Sequence, residues 1–208
     1  MILIITTNSI DLKKHIYLKN TIKVQSIGEI DLTISNSISL KDEVLNFKVK
    51  DSKLELFVGL DWIKSNYNIS SIIFFDYIHP INNNLLGNHV VIPKIIFCID
   101  DPPLEWGNNP LISKIEINTP QSKKIRNIVH QDNYDFTYGN ILSVDNKFIT
   151  ASSIKELSDS NLFDGLNNLI FTANKFANEN KIEIYNKTIV KTKYMTNLKY
   201  EKLLENLF

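Results

Sequence analysis

The side chains that could do chemistry in this 208-residue sequence are few and widely spaced. The four histidines and the only cysteine are His15, His79, His89, His130 and Cys98. They do not have the short spacings of zinc sites, so we expect no bound metal. The sequence also lacks the glycine-rich phosphate and dinucleotide motifs and the Gly-x-Ser-x-Gly motif of hydrolases. We therefore expect no cofactor.

Several polar or aromatic side chains lie just beyond predicted strands. The apolar run 2–6 predicts a first strand, and Asp11 comes shortly after it. The run Ser70–Phe75 predicts a strand that is buried on both faces, and Tyr77 and His79 follow it. Open α/β sheets bind ligands at the carboxyl ends of their strands. We therefore expect a cleft there, lined by Asp11, Tyr77, His79, Phe148, Ile149, Asp164 and Asn197.

The elements that must position these residues alternate along the chain. A hairpin is predicted around Gly28, an alternating strand over Lys53–Val58, and a helix over Gly59–Asn68. An amphipathic helix over Leu166–Asn178 and a late strand over Thr188–Tyr194 follow. This order predicts a single domain over residues 1–208 of the α/β class. We expect a central mixed β-sheet with helices on both faces, a three-layer α/β/α arrangement.

The charge balance restricts the possible partners. Lys+Arg and Asp+Glu number 23 each, so the net charge is zero and nothing favours binding to nucleic acid or to a membrane. A lone cysteine suggests a reducing compartment. The apolar amino terminus lacks the basic region of a signal peptide, and no apolar run reaches the ~20 residues of a membrane span. We expect a cytoplasmic protein.

Three segments carry a family resemblance. The stretch 87–93, Gly-Asn-His-Val-Val-Ile-Pro, is similar to a "GDVVIP" motif. Residues 139–150 look like "G-x-I-x-S-G-D-x-F-I", and 188–197 resemble a strand that ends in "K-x-V-S-D". In this order along the whole chain they resemble the nucleoside phosphorylase/nucleosidase superfamily. By size the sequence is most similar to the methylthioadenosine/S-adenosylhomocysteine nucleosidases, which implies the phosphorylase/hydrolase-like fold.

The resemblance implies N-glycosidic hydrolysis of a purine nucleoside or thionucleoside, such as methylthioadenosine or S-adenosylhomocysteine. Asp11 takes the place of the acid that activates water, and Asp145 that of the "S-G-D" aspartate. Phe148 and Ile149 fall where the family stacks the purine and contacts its edge. Asp164 is the nearest candidate for the ribose grip.

Four of these residues also have a structural interpretation. Asp11 fits a solvated carboxylate at a helix start, and Asp145 fits an Asx turn in a loop. Phe148 and Ile149 fit core positions of a strand. The resemblance further implies a homodimer, for which Trp62 and Trp106 are candidate interface aromatics.

Two departures from the family pattern bear on activity. Where the family has a glycine-rich loop, this chain has residues 76–80, which contain no glycine. Asn197 stands in the place of the catalytic aspartate, and an amide cannot deliver a proton. The alternative is therefore a catalytically impaired pseudoenzyme that binds a nucleoside or has a structural role. Because Arg126 is the only arginine, hydrolysis is favoured over phosphorolysis.

Overall fold

A computed structural model gives the fold of the chain. It describes residues 1–7, 18–27, 30–37, 43–50, 52–81, 89–99, 112–117, 136–144, 157 and 159–190. The strands are β1 (Ile2–Thr7), β2 (Leu18–Ile27), β3 (Ile30–Ser37), β4 (Glu43–Val49), β5 (Ser71–Pro80), β6 (Val90–Ile99), β7 (Ile112–Glu116), β8 (Phe136–Ser143), β9 (Gly165–Leu166) and β10 (Glu183–Val190). The described helices are α1 (Lys53–Asn66) and α2 (Ile170–Glu179).

The strands form one mixed sheet in the order β10-β6-β8-β9-β5-β1-β4-β3-β2, with β7 paired to β6. At its centre, β1 runs parallel to β4 and β5, and β5 runs parallel to β10. The predicted hairpin is present, because β2 pairs antiparallel with β3. The predicted α/β class and mixed sheet are confirmed, and the strand predicted at 70–75 lies in the middle. This strand extends to Pro80, so the prediction that Tyr77 and His79 follow it in a loop was wrong: both lie within β5.

One half of the sheet closes on itself. Strand β10 pairs with both β5 and β6, and β9 pairs with both β5 and β8. Because β6 also pairs with β8, the strands β5, β10, β6, β8 and β9 form a closed ring. The ring is tight at Gly165, where a Cβ would overlap Cγ2 of Ile78. A residue without a side chain is therefore needed at this crossing.

The core lies on both faces of β5. Ile72 and Phe74 point to the face that α1 and α2 cover, and both are fully buried. Ile73 and Phe75 point to the opposite face and are buried as well. A strand buried on both sides fits the continuous apolar run. Both described helices pack on the same face, so the third layer remains a prediction.

The segment 53–58 forms a helix, so its prediction as an alternating strand was wrong. Ser52 caps α1 by accepting a hydrogen bond from the Glu55 backbone N–H at 3.3 Å, and Glu55 accepts one from the Lys50 N–H at 3.3 Å. This serine and glutamate spacing is typical of a helix start. The inner face of α1 has helical spacing, with Leu56, Gly59, Leu60 and Ile63 buried.

Candidate functional site

The carboxyl ends of the parallel strands meet at one edge of the sheet. There β1 ends at Thr7, β5 passes through Asp76, and β10 places Thr188 beside Asp76 in register. The side chains of Thr7, Asp76 and Thr188 are buried, and so is Asn167, which precedes α2. We call these four residues the carboxyl-edge cluster.

The Asp76 carboxyl group is the centre of this cluster. It is 5% exposed, and both oxygens accept hydrogen bonds from side chains. Oδ1 accepts from the Thr7 hydroxyl at 2.7 Å, and Oδ2 accepts from the Asn167 amide at 2.7 Å. Burying a carboxyl group is costly unless it is hydrogen-bonded, and these contacts offset that cost.

Asn167 connects the cluster to the start of α2. Its Nδ2 also donates to the Tyr77 carbonyl at 2.9 Å. Its Oδ1 accepts from the backbone N–H groups of Leu169 and Ile170 at 3.0 and 2.8 Å. The first N–H groups of a helix have no partner within the helix, so this amide satisfies two of them.

Two further buried hydroxyls tie neighbouring backbones to the same region. The Thr188 hydroxyl donates to the Val91 carbonyl at 2.7 Å and links β10 to β6. The Ser143 hydroxyl, at the end of β8, donates to the Asn168 carbonyl at 2.8 Å. The edge is thus held by side chains that come from distant parts of the chain.

Tyr77 and His79, predicted to line the cleft, lie on the opposite face of β5 from Asp76, because side chains alternate along a strand. Tyr77 is half-buried and His79 is exposed. His79 pairs in register with Leu166 of β9. The structure therefore places these two side chains together on one face, beyond the middle of the central strand.

Asp164, the predicted ribose contact, is engaged with the backbone of β8. Its Oδ2 accepts from the Asn140 N–H at 2.8 Å, and its own N–H donates to the Asn140 carbonyl at 2.8 Å. Its carbonyl accepts from the Ile81 N–H at 3.1 Å. A Cβ on Gly139 would lie 3.0 Å from the carboxyl Oδ2. Asp164 thus has a structural function in joining β8 to the end of β5.

The other predicted site residues lie outside the described residues: Asp11, Asp145, Phe148, Ile149 and Asn197. Their flanking strands are in place. Asp11 follows β1, and Asp145 follows β8 and the buried Val144. Of the late strand predicted over Thr188–Tyr194, residues 188–190 belong to β10, and 191–194 lie outside the described residues. The convergence of these five side chains with Tyr77 and His79 remains a prediction.

The sequence predictions did not include Thr7, Asp76, Asn167 or Thr188 as site residues. Two signals were available: an aspartate directly after the apolar run 72–75, and a pair of asparagines before the helix at 170. Asparagine before a helix is a common cap.

Among the described residues, no group of three or more His, Cys, Asp or Glu side chains could hold a metal ion. No helix in the described ranges is long and apolar enough to cross a membrane.

Comparison with known proteins identifies the fold. No protein-family model matches the sequence, and no curated protein matches it by sequence. Solved structures do match. A methylthioadenosine/S-adenosylhomocysteine nucleosidase from Neisseria meningitidis, in complex with methylthio-immucillin-A, has a TM-score of 0.74 at 12% identity, over 99% of this chain and 92% of that one. A futalosine hydrolase mutant from Helicobacter pylori has a TM-score of 0.77 at 10% identity, over 99% and 96%.

A third match is a variant of the Helicobacter pylori methylthioadenosine/S-adenosylhomocysteine nucleosidase. An asparagine replaces an aspartate in it, and 5′-methylthioadenosine occupies its active site. It has a TM-score of 0.75 at 11% identity, over 99% of this chain and 93% of that one. The chain therefore has the fold of the nucleosidases in the nucleoside phosphorylase/nucleosidase superfamily. The resemblance noted in the sequence is confirmed at the level of the fold.

Proposed function

We propose that this protein is nucleosidase-like and hydrolyses the N-glycosidic bond of a purine nucleoside or thionucleoside, such as methylthioadenosine or S-adenosylhomocysteine. The observation that carries the proposal is the full-length match of the fold to methylthioadenosine/S-adenosylhomocysteine nucleosidases at TM-scores of 0.74 and 0.75. Because fold alone does not determine function, the proposal also depends on the residues at the carboxyl edge.

The reaction needs a positioned water, a grip on the sugar, contacts to the base and a proton donor. We assign Asp11 to the water, and Phe148 and Ile149 to the purine. Tyr77 and His79 lie on one face of β5 and form the wall of the proposed cleft.

The resemblance suggests two further carboxylates as ligand contacts. We assign Asp145 and Asp164 to contacts with the ribose.

Asn197 stands in the place of the proton donor in this scheme. An amide can donate a hydrogen bond to the base but cannot release a proton. Acid catalysis contributes on the order of 10²–10⁴-fold, so we expect slow turnover.

A second candidate function is nucleoside binding without turnover. It is favoured by the hydrogen bonds of two aspartates near the carboxyl edge, which hold these groups in structural contacts. Both oxygens of Asp76 and one of Asp164 accept hydrogen bonds within the protein. In the Helicobacter pylori nucleosidase, the variant with asparagine in place of aspartate holds 5′-methylthioadenosine. By analogy, we expect that a chain with Asn197 in place of the catalytic aspartate still binds the nucleoside.

The experiment that separates the two functions is incubation of the protein with methylthioadenosine, S-adenosylhomocysteine, adenosine and inosine. Released base is measured by chromatography, and binding is measured by calorimetry on the same preparation. Base release with any of the four supports hydrolysis, and saturable binding without release supports the second candidate. Neither signal, in a protein shown by circular dichroism to be folded, rejects both.

We also propose that two copies pair through the outer face of α1, defined by Leu54, Phe57 and Val58. These side chains are 72%, 58% and 44% exposed, although the inner face of the helix is apolar too. A helix that is apolar on both sides is usually covered on both. Asp61 lies one turn after Phe57 and Lys53 one turn before it. An antiparallel twofold pairing about Phe57 therefore brings opposite charges together.

The two tryptophans expected at such an interface, Trp62 and Trp106, are not among the residues that define this face. Trp62 is half-buried, and its ring centroid lies 5.9 Å from that of Tyr67. Trp106 lies outside the described residues. Leu54, Phe57 and Val58 therefore replace the tryptophans as the proposed anchors.

A further inference from the structure

We propose that Asp76 is a positioning residue, which fixes the carboxyl end of β1 and the start of α2 against the central strand. It thereby sets the geometry of the cleft at that edge. The part of this inference that concerns the cleft rests on the proposed function, whereas the part that concerns α2 does not.

The Asp76 carboxyl group joins distant parts of the chain. Thr7 and Asn167, which donate to its two oxygens, lie 69 and 91 residues away in sequence. All three side chains are at least nine-tenths buried, and both hydrogen bonds measure 2.7 Å. One side chain on β5 therefore holds the last residue of β1 and the residue that caps α2.

The start of α2 depends on Asn167. The Asn167 Nδ2 donates hydrogen bonds to the Asp76 carboxyl group and to the Tyr77 carbonyl. Its Oδ1 accepts hydrogen bonds from the first N–H groups at the start of α2. Leu169, the first residue outside the helix, makes no side-chain capping bond of its own. Without Asp76, the Asn167 amide loses the side chain that accepts from its Nδ2. The orientation in which its Oδ1 caps α2 is then held less firmly.

The elements that Asp76 joins lead to the proposed cleft. Strand β1 leads into the segment with Asp11, and the residues just before α2 include Asp164. Asp76 itself points to the helix-covered face, away from Tyr77 and His79. It therefore acts on the cleft through the elements it holds and does not touch the ligand. Such positioning matters, since a misplacement of about 1 Å at a reacting site can cost on the order of 100-fold in rate.

The test compares Asp76→Ala and Asp76→Asn with a control, Asn174→Ala. Asn174 is a buried residue of α2 whose amide bonds the Ile170 carbonyl and the Asn186 side chain, and none of the four residues of the carboxyl-edge cluster. The control removes buried hydrogen bonds from the same helix. Three quantities are measured at a temperature at which every variant is folded: the Kd for methylthioadenosine, the release of base from it, and the hydrogen exchange of the Leu169 and Ile170 amides.

We expect Asp76→Ala to weaken methylthioadenosine binding by about tenfold or more, equivalent to ~1.4 kcal/mol, and to speed exchange at Leu169 and Ile170. Asp76→Asn should restore both properties. Its oxygen can accept from Asn167, and its amide can donate to the Thr7 hydroxyl, which both donates and accepts. The Asn174→Ala control should bind as the native protein does. If Asp76→Ala does not fold, Thr7→Val removes the hydrogen bond from Thr7 to Asp76 and should change the Kd in the same direction.

Three results would overturn the inference. One is native-like binding and exchange in Asp76→Ala. Another is an equal loss of binding in Asn174→Ala, which would indicate general destabilisation. The third is an Asp76→Asn protein that binds but no longer releases base, which would make Asp76 a proton donor. If the native protein binds no nucleoside, the proposed function fails, and exchange at Leu169 and Ile170 still decides whether Asp76 holds α2.

Discussion

At the scale of single residues, the neighbouring threonines at the end of β1 have opposite environments. The Thr7 hydroxyl donates to Asp76 at 2.7 Å. The Thr6 hydroxyl, on the other face, is buried and has no hydrogen-bond partner among the described residues. Leaving a buried acceptor unsatisfied costs about 1–3 kcal/mol, whereas removing a hydroxyl that has no partner costs little.

We therefore predict that Thr7→Val lowers the free energy of unfolding by about 1–3 kcal/mol, because Asp76 Oδ1 loses its donor. The matched variant Thr6→Val should leave the stability unchanged or raise it. Urea unfolding followed by circular dichroism gives both values. Equal losses in the two variants would mean that the Thr6 hydroxyl also has a stabilising partner.

A second prediction at this scale concerns Asn197. If the chain binds nucleosides, Asn197→Asp should raise the rate of base release by on the order of 10²–10⁴-fold, because it restores a proton donor. The Kd should change little, since an acid acts mainly in the transition state. Rates come from chromatography of the released base and affinities from calorimetry. Unchanged release in a variant that binds would place the acid elsewhere.

At the scale of elements, the close approach of α1 to the sheet depends on Gly59. A Cβ at this position would overlap the ring of Phe47, which is fully buried in β4 and has little room to move. Glycine within a helix usually costs roughly 0.5–1 kcal/mol relative to alanine. In this helix the packing requirement outweighs that cost.

We predict that Gly59→Ala lowers the free energy of unfolding by about 1–3 kcal/mol, the usual cost of overpacking a core. Ser65→Ala, at an exposed position of the same helix, is the control and should not destabilise the protein. Thermal and urea unfolding of both variants provide the comparison. A more stable Gly59→Ala protein would show that α1 can shift away from β4.

The elements differ in how well the sequence predicted them. The apolar run of β5 and the hairpin of β2 and β3 were predicted correctly, because their signals are local. The helix predicted from Leu166 begins at Ile170, because Gly165 and Leu166 pair in β9 and Asn167 caps the helix. Strand β4 was missed, and the first half of α1 was predicted as a strand because Leu54, Leu56 and Val58 alternate.

The candidate site was less predictable than the fold. Tyr77 and His79 could be predicted as site residues from the position of the central strand. Asp76 does not, because its partners are distant in sequence, and only the fold brings Thr7 and Asn167 to it. For the same reason, the sequence suggested a ligand contact for Asp164 but gave no sign of its bond to the backbone of β8.

At the scale of the whole molecule, the outer face of α1 should decide the assembly. We predict that the native protein is a dimer at micromolar concentration, and that Phe57→Lys converts it to a monomer by placing like charges on the twofold axis. Leu162→Lys is the control, because Leu162 is also apolar and 61% exposed but lies outside α1. Light scattering gives the masses. A native monomer, or a monomer from both variants, would contradict the proposed surface.

We claim that the carboxyl edge of this fold binds a purine nucleoside. The deciding experiment is a calorimetric titration of the native protein with methylthioadenosine, with S-adenosylhomocysteine, adenosine and inosine titrated in parallel. We predict saturable binding of at least one of them, one ligand per chain, and weaker binding in Asp76→Ala. A protein that is folded by circular dichroism but gives no binding heat with any of the four, and releases no base from them, would contradict the claim.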